Sequence, residues 1–183
     1  MTARATTLVL GGARSGKSVF AERLVDDSDL APVYLATATA GDDEMRLRID
    51  HHRARRGPHW HTVEEPLDLV GALCRERARE RAVLVDCLTL WLSNLMHAGR
   101  DPATESARLA DWLRAASGPI VLVSNEVGLG LVPETPLGRS FRDAQGRLNQ
   151  DVAAAVSDVV FVAAGLPLWL KRSTPLASSP EIS

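Results

Sequence analysis

Apolar residues in this chain follow two alternating rhythms. The runs Thr7-Leu8-Val9-Leu10, Val33-Tyr34-Leu35-Ala36-Thr37, Ala82-Val83-Leu84-Val85-Asp86, Pro119 to Glu126 and Val159-Val160-Phe161-Val162-Ala163 are short and near-continuous. Strands buried on both faces read this way. His59-Trp60-His61-Thr62-Val63 alternates and predicts a further strand, and Leu168-Trp169-Leu170 predicts a last one, paired with 159–163 across Gly165-Leu166-Pro167. Longer stretches of helical period lie between them: Val19 to Leu24, Asp42 to Arg56, Leu67 to Arg79, Leu88 to Met96, Thr104 to Ala116 and Leu137 to Ala155. Gly57-Pro58 and Gly99-Arg100-Asp101-Pro102 are the breaks, Gly146 weakens the last helix, and Gly128 to Pro133 reads as loop.

This alternation predicts the α/β class, with a mostly parallel sheet covered by helices on both faces and an antiparallel edge hairpin. Residues 1–172 are expected to form a single domain, and 173–183, rich in Ser and Pro, a disordered tail. Polar residues gather where strands end, at Thr37, Asp86, Asn125 and Glu126. Ligands of open α/β sheets bind at the carboxyl ends of strands, so all four are expected to face one site.

The first strand runs into Gly11-Gly12-Ala13-Arg14-Ser15-Gly16-Lys17-Ser18, which fits G-x-x-x-x-G-K-[ST] at every position and is followed by a helix. In such a phosphate-binding loop the glycines turn backbone N–H groups inward and the helix presents its positive end. Lys17 is placed to reach the β- and γ-phosphates, and the Ser18 hydroxyl to hold Mg²⁺. Asp86, closing an apolar strand, is the candidate carboxylate for the same ion.

Composition narrows the picture without redirecting it. The 183 residues are 45% hydrophobic and 24% charged, an ordinary soluble profile with room for a substantial core. A net charge of −2 gives no global attraction to nucleic acid or anionic membrane. Cys74 and Cys87 form no metal or disulfide spacing, the apolar run after Arg4 is too short for the core of a signal peptide, and the run from Val152 to Leu170 is interrupted by Asp158, Gly165 and Pro167. A cytoplasmic enzyme with no membrane span is expected.

The stretch Asp42 to Arg56 carries the other candidate chemistry. At 100° per residue Glu44, Arg48, His51 and Arg55 fall within about 60° of one another, with Met45 and Ile49 on a different face. A neutral imidazole between guanidinium groups is equipped to attack a phosphate. On periodicity alone a solvated basic face is the better reading of that stripe. His51, His52, His59 and His61 lie close together, yet no zinc-ligand spacing is present. Arg53-Ala54-Arg55-Arg56 is short for a nucleic-acid contact in an acidic chain. Glu126 is placed either to position Mg²⁺ or to accept a hydroxyl proton, and Arg139, Arg142 and Arg147 fit a site or surface ion pairs equally well.

Taken together, GGARSGKS, YLATA followed by DDEMRLRIDHHRARRGPHW, SNEVGLGLVPE and GRSFRDAQGRLNQ resemble the bifunctional adenosylcobinamide kinase / adenosylcobinamide-phosphate guanylyltransferase family of cobalamin biosynthesis, from about Leu8 to Leu170. The resemblance implies a P-loop NTPase (RecA-like) fold, a homotrimer, and two reactions. Adenosylcobinamide is phosphorylated by a nucleoside triphosphate, ATP or GTP. GMP then passes from GTP through an enzyme histidine to adenosylcobinamide phosphate. The family's guanylylated histidine falls on His51. Its nucleotide contacts fall on Gly11 to Ser18, Ala36, Thr37, His52, Arg53 and Arg55, and less securely on Glu64 and Asp86. A P-loop kinase of another small molecule predicts γ-phosphoryl transfer without retained GMP. A nucleotide-dependent switch or ATPase predicts a partner surface instead.

Overall fold

The computed structural model describes residues 6–38 and 56–173. Among them, strands β1 (Thr6–Gly11), β2 (Ala31–Ala36), β3 (His61–Glu64), β4 (Arg81–Asp86), β5 (Ile120–Asn125), β6 (Asp158–Ala163) and β7 (Leu166–Lys171) form one sheet in the order β3-β2-β4-β5-β1-β6-β7. Every neighbouring pair is parallel except β6 and β7. Helices α1 (Lys17–Asp26), α2 (Leu69–Glu76), α3 (Leu88–His97), α4 (Pro102–Ala115) and α5 (Pro136–Ala155) connect them. Of the helix expected over 42–56 only Arg56 is among the described residues; His51, His52, Arg53 and Arg55 lie outside them, as does the chain from residue 174.

Alternate residues of the central strands feed two cores, as a period of two requires. Leu8, Leu10, Val33, Leu35, Val83, Val85, Ile120 and Leu122 pack with buried residues of α2, α3, α4 and α5 on one face. Val9, Tyr34, Leu84, Val121, Val123, Val160 and Val162 pack with Ala21 and Val25 of α1 and with Trp60 on the other. Trp91 is core, its Nε1 donating to the Leu67 carbonyl at 3.0 Å. Trp169 meets Phe20 of α1 edge to face at 6.2 Å. No helix among the described residues is long and apolar enough to cross a membrane.

Several boundaries differ from the sequence pattern, each for a local reason. His59 and Trp60 precede β3 instead of opening it: Trp60 is buried against Tyr34, and His59 Nε2 lies 3.6 Å from Asp26 Oδ1. His59 therefore lies outside the strand that His61 opens. α2 begins later than its period suggests, because Glu65 Oε1 accepts from the N–H groups of Leu67 and Asp68, and Asp68 then caps Gly71 N at 3.2 Å. The edge hairpin turns at Ala164 and Gly165, whose φ values of 53° and 78° suit a two-residue turn. Pro167 consequently sits inside β7, opposite Val162, which an edge strand tolerates. Gly146 leaves α5 unbroken. Ser173 is anchored, its N–H donating to Asp158 Oδ1 at 2.7 Å.

Candidate functional site

The sheet register brings the polar strand ends into one row. Gly11 pairs with Asn125, Ala36 with Asp86, and Ala36 with Glu64, all at carboxyl ends. The loop from Gly11 to Gly16 leads from β1 into α1, and its geometry is that of an anion nest. Arg14 and Gly16 adopt positive φ (57° and 93°), and the Gly16 N-cap supplies no side-chain hydrogen bond. The first N–H groups of α1 therefore have no side-chain cap, and no acidic residue stands in that first turn. α2, α4 and α5 are capped by Asp68, Asp101 and Thr135. An uncapped helix start behind a glycine loop is a ready anion site. Glycine is required at position 11, because a Cβ there would sit 2.5 Å from both Ser15 Oγ and the Val162 carbonyl. The β6–β7 turn braces the loop from outside, Gly165 N donating to Ser15 O at 2.8 Å.

Lys17 folds over this loop, its Nζ donating to the Gly12 carbonyl at 3.1 Å. Burial lowers its pKa, and the nearby Cys87 and Asp86 oppose that shift. Burial and the Asp86 charge push the Cys87 thiol up to about 12. Asp86 Oδ2 accepts from the Tyr34 hydroxyl at 3.0 Å. The Asp86 carboxylate and the Ser18 hydroxyl form a sparse set of oxygen donors, and the Lys17 ammonium, having no lone pair, is left for phosphate. Mg²⁺ takes such a set when phosphates and water complete its octahedron.

Thr37 does something other than face the site. It is fully buried, its hydroxyl donating to Cys87 O at 2.7 Å and accepting from Cys87 N at 2.9 Å. Asn94 Nδ2 donates to the Thr37 carbonyl at 2.7 Å. Thr37 thus ties the end of β2 to the β4–α3 junction. Glu64 is exposed at the end of β3, four strand spacings or about 19 Å from β1. Glu126 stands beside the loop, its N–H donating to Gly11 O at 3.1 Å, but its Oε1 accepts from Gly128 N. Arg139 donates to the carbonyls of Pro133 and Glu134, and Arg142 pairs with Asp143.

A buried polar ladder, missed by the sequence pattern, fixes the tip of β5. Ser124 Oγ donates to Asn149 Oδ1 at 2.7 Å, Gln145 Nε2 donates to Ser124 Oγ at 2.9 Å, and Asn149 Nδ2 donates to Asn125 O at 3.2 Å. Thr89 Oγ1 accepts from Asn125 N at 2.9 Å. Gln145 and Asn149 are one helical turn apart on α5, the signal that marks them in retrospect. Asn149→Leu strands the Ser124 and Gln145 polar groups and is expected to destabilise the chain by about 2 kcal/mol. Urea unfolding measures it; an unchanged midpoint contradicts this account.

The phosphate loop between β1 and α1 on this sheet gives the chain a P-loop NTPase architecture of the RecA-like kind. The flagellar accessory protein FlaH of Methanocaldococcus jannaschii shares the fold, with a TM-score of 0.55 at 12% identity over 92% of this chain and 78% of that one. A family model described as cobinamide kinase / cobinamide phosphate guanyltransferase matches residues 7–170. The bifunctional adenosylcobalamin biosynthesis protein CobP of Pseudomonas aeruginosa is 51% identical over 166 residues, which cover 90% of this chain and 96% of that protein. The corresponding CobU of Escherichia coli is 41% identical over 179 residues, covering 90% and 98%.

Proposed function

This chain belongs to the cobinamide kinase / cobinamide phosphate guanyltransferase family, and on that premise we propose how its residues divide two reactions between them. The enzyme is a bifunctional adenosylcobinamide kinase and guanylyltransferase of cobalamin biosynthesis. In the kinase step the loop from Gly11 to Ser18 holds the triphosphate through its N–H groups, and Lys17 moves from Gly12 O onto the phosphates. The aminopropanol hydroxyl of adenosylcobinamide attacks the γ-phosphorus and the nucleoside diphosphate leaves, whether ATP or GTP is the donor. Ser18 and Asp86 would hold Mg²⁺, which when bound neutralises phosphate charge.

In the second step an imidazole nitrogen of His51 attacks the α-phosphorus of GTP. The Pα–O bond breaks, pyrophosphate departs, and GMP remains on His51 as a phosphoramidate. A phosphate oxygen of adenosylcobinamide phosphate then attacks that phosphorus and breaks the P–N bond. This step yields adenosylcobinamide-GDP and restores His51. His52, Arg53 and Arg55, with Ala36 and Glu64 at the strand ends, belong to the nucleotide contacts of this reading; Thr37, whose hydroxyl, N–H and carbonyl are engaged by Cys87, Asp86 and Asn94, would hold the end of β2 in place.

The observation that carries the reading is the uncapped phosphate loop beside Asp86, in a chain that bears His51 in the segment following β2. The experiment is incubation with α-labelled GTP. GMP is expected to stay on the polypeptide as an acid-labile, base-stable adduct, and an unlabelled chain rejects the histidine step. A cytoplasmic location, a 1–172 domain with a short tail and a homotrimer complete the proposal. Exposed Leu129, Leu131 and Leu137, with Leu166 and Leu168 at the edge hairpin, supply apolar surface for subunit contact. Light scattering is expected to give a mass of three chains, and a monomer mass at micromolar concentration rejects the trimer.

A further inference from the structure

A carboxylate at a strand end has two side-chain rotors, and a divalent cation needs it aimed. Lys17 Nζ donates to Gly12 O and acts on Asp86 through its charge. The Tyr34 hydroxyl supplies that aim, by its 3.0 Å bond to Asp86 Oδ2 from the neighbouring strand. Tyr34 is in turn held on two sides. Trp60 meets its ring at 6.3 Å and 76°, and the Arg56 guanidinium carbon lies 3.2 Å from its centroid. Both Tyr34 and Arg56 are only 7% exposed. Arg56 Nη1 is buried without a hydrogen-bond partner. The stack on the Tyr34 ring contacts this guanidinium from one face.

We propose that Tyr34 is a positioning residue for the Asp86 carboxylate, clamped by Arg56, so that divalent-cation affinity at the nucleotide site depends on two residues outside the phosphate loop. The inference rests on the reading of Asp86 as the cation's carboxylate. It adds a physical link along the chain: Arg56 is five residues beyond His51, and through Tyr34 it reaches the Asp86 carboxylate at the end of β4. The chemistry is that of outer-shell support. A hydrogen bond to a ligating carboxylate fixes its orientation, and losing such a bond commonly weakens metal binding about 10- to 100-fold. A planar guanidinium stacks on a ring face in a way that an ammonium does not.

The test is Mn²⁺ titration followed by electron paramagnetic resonance, with the full-length protein and a non-hydrolysable GTP analogue. Tyr34→Phe keeps the ring and its stack but removes the hydroxyl, and is expected to raise the Mn²⁺ dissociation constant about 10-fold. The melting temperature and analogue affinity without metal should hold, which a general loosening of the fold would not allow. Arg56→Lys keeps the charge and loses the planar stack, and is expected to raise the same constant by a smaller factor. In the Tyr34→Phe background Arg56→Lys should add nothing further, because its effect passes through the hydroxyl. Unchanged Mn²⁺ affinity in Tyr34→Phe, or additive effects in the double variant, overturns the proposal. Asp86→Asn separates the two levels. If it weakens Mn²⁺ binding while Tyr34→Phe does not, only the role of Tyr34 falls; if Asp86→Asn binds like the native protein, the metal reading of Asp86 falls as well.

Discussion

His51→Ala is expected to abolish GMP retention and to lower guanylyl transfer by about four orders of magnitude or more, the scale on which removal of a covalent nucleophile acts. The argument is chemical. Attack at the α-phosphorus requires an unprotonated nitrogen, and alanine leaves no group that can form the P–N bond. Arginines at 53 and 55 would still bind phosphate, so GTP affinity should fall much less than turnover. That split distinguishes a nucleophile from a residue that only clamps phosphate, for which affinity and turnover fall together. An unchanged melting transition separates loss of the nucleophile from loss of fold. Undiminished label in His51→Ala contradicts the assignment, and equal label in His52→Ala and the native protein is its counterpart control.

Lys17→Ala is expected to reduce kcat/KM of the kinase step about 100- to 1000-fold, the range seen when one donor aimed at developing charge is removed. Lys17 is half-buried at the start of α1, where burial works against its charge and Asp86 sustains it. Its bond to Gly12 O holds the ammonium over the loop, within the space where phosphates would lie. Removing the ammonium also removes a partly desolvated charge, so stability should change little compared with the rate. Phosphorylation of adenosylcobinamide under saturating nucleotide measures the effect. A loss smaller than about tenfold contradicts the role, since that is under 1.4 kcal/mol of transition-state stabilisation.

The parts of the fold legible in the sequence are those in which one local rule acts alone. Continuous apolar runs at 7–10, 33–36, 82–85, 120–123 and 159–162 admitted a buried strand and little else. The phosphate loop was legible because its function needs backbone torsions that glycine supplies at fixed positions. Helix starts at Asp68 and Asp101 were less legible, because whether a carboxylate caps a helix or pairs with an arginine depends on neighbours. The β6–β7 turn shows the same competition: Pro167 reads as a turn residue until the sheet edge makes room for it in a strand.

Thr37 marks the limit most clearly. Its position at a strand end indicated a residue facing the nucleotide, but its hydroxyl is consumed by both backbone groups of Cys87, fifty residues away in the chain. Tyr34 is the reverse case. It reads as one more apolar strand residue, and only the parallel pairing of β2 with β4 brings its hydroxyl to Asp86. The ladder of Ser124, Gln145 and Asn149 likewise joins a strand to a helix across an intervening loop.

By itself, then, the sequence determined the class of fold, the phosphate loop with Lys17 and Ser18, and the placing of His51 within a basic segment. Each depends on torsional preference or periodicity over a few consecutive residues. The tertiary structure decided which polar side chains hold the framework and which remain to meet a ligand. That depends on partners from distant segments, and a buried hydroxyl or amide must be satisfied by whichever group the sheet order sets beside it.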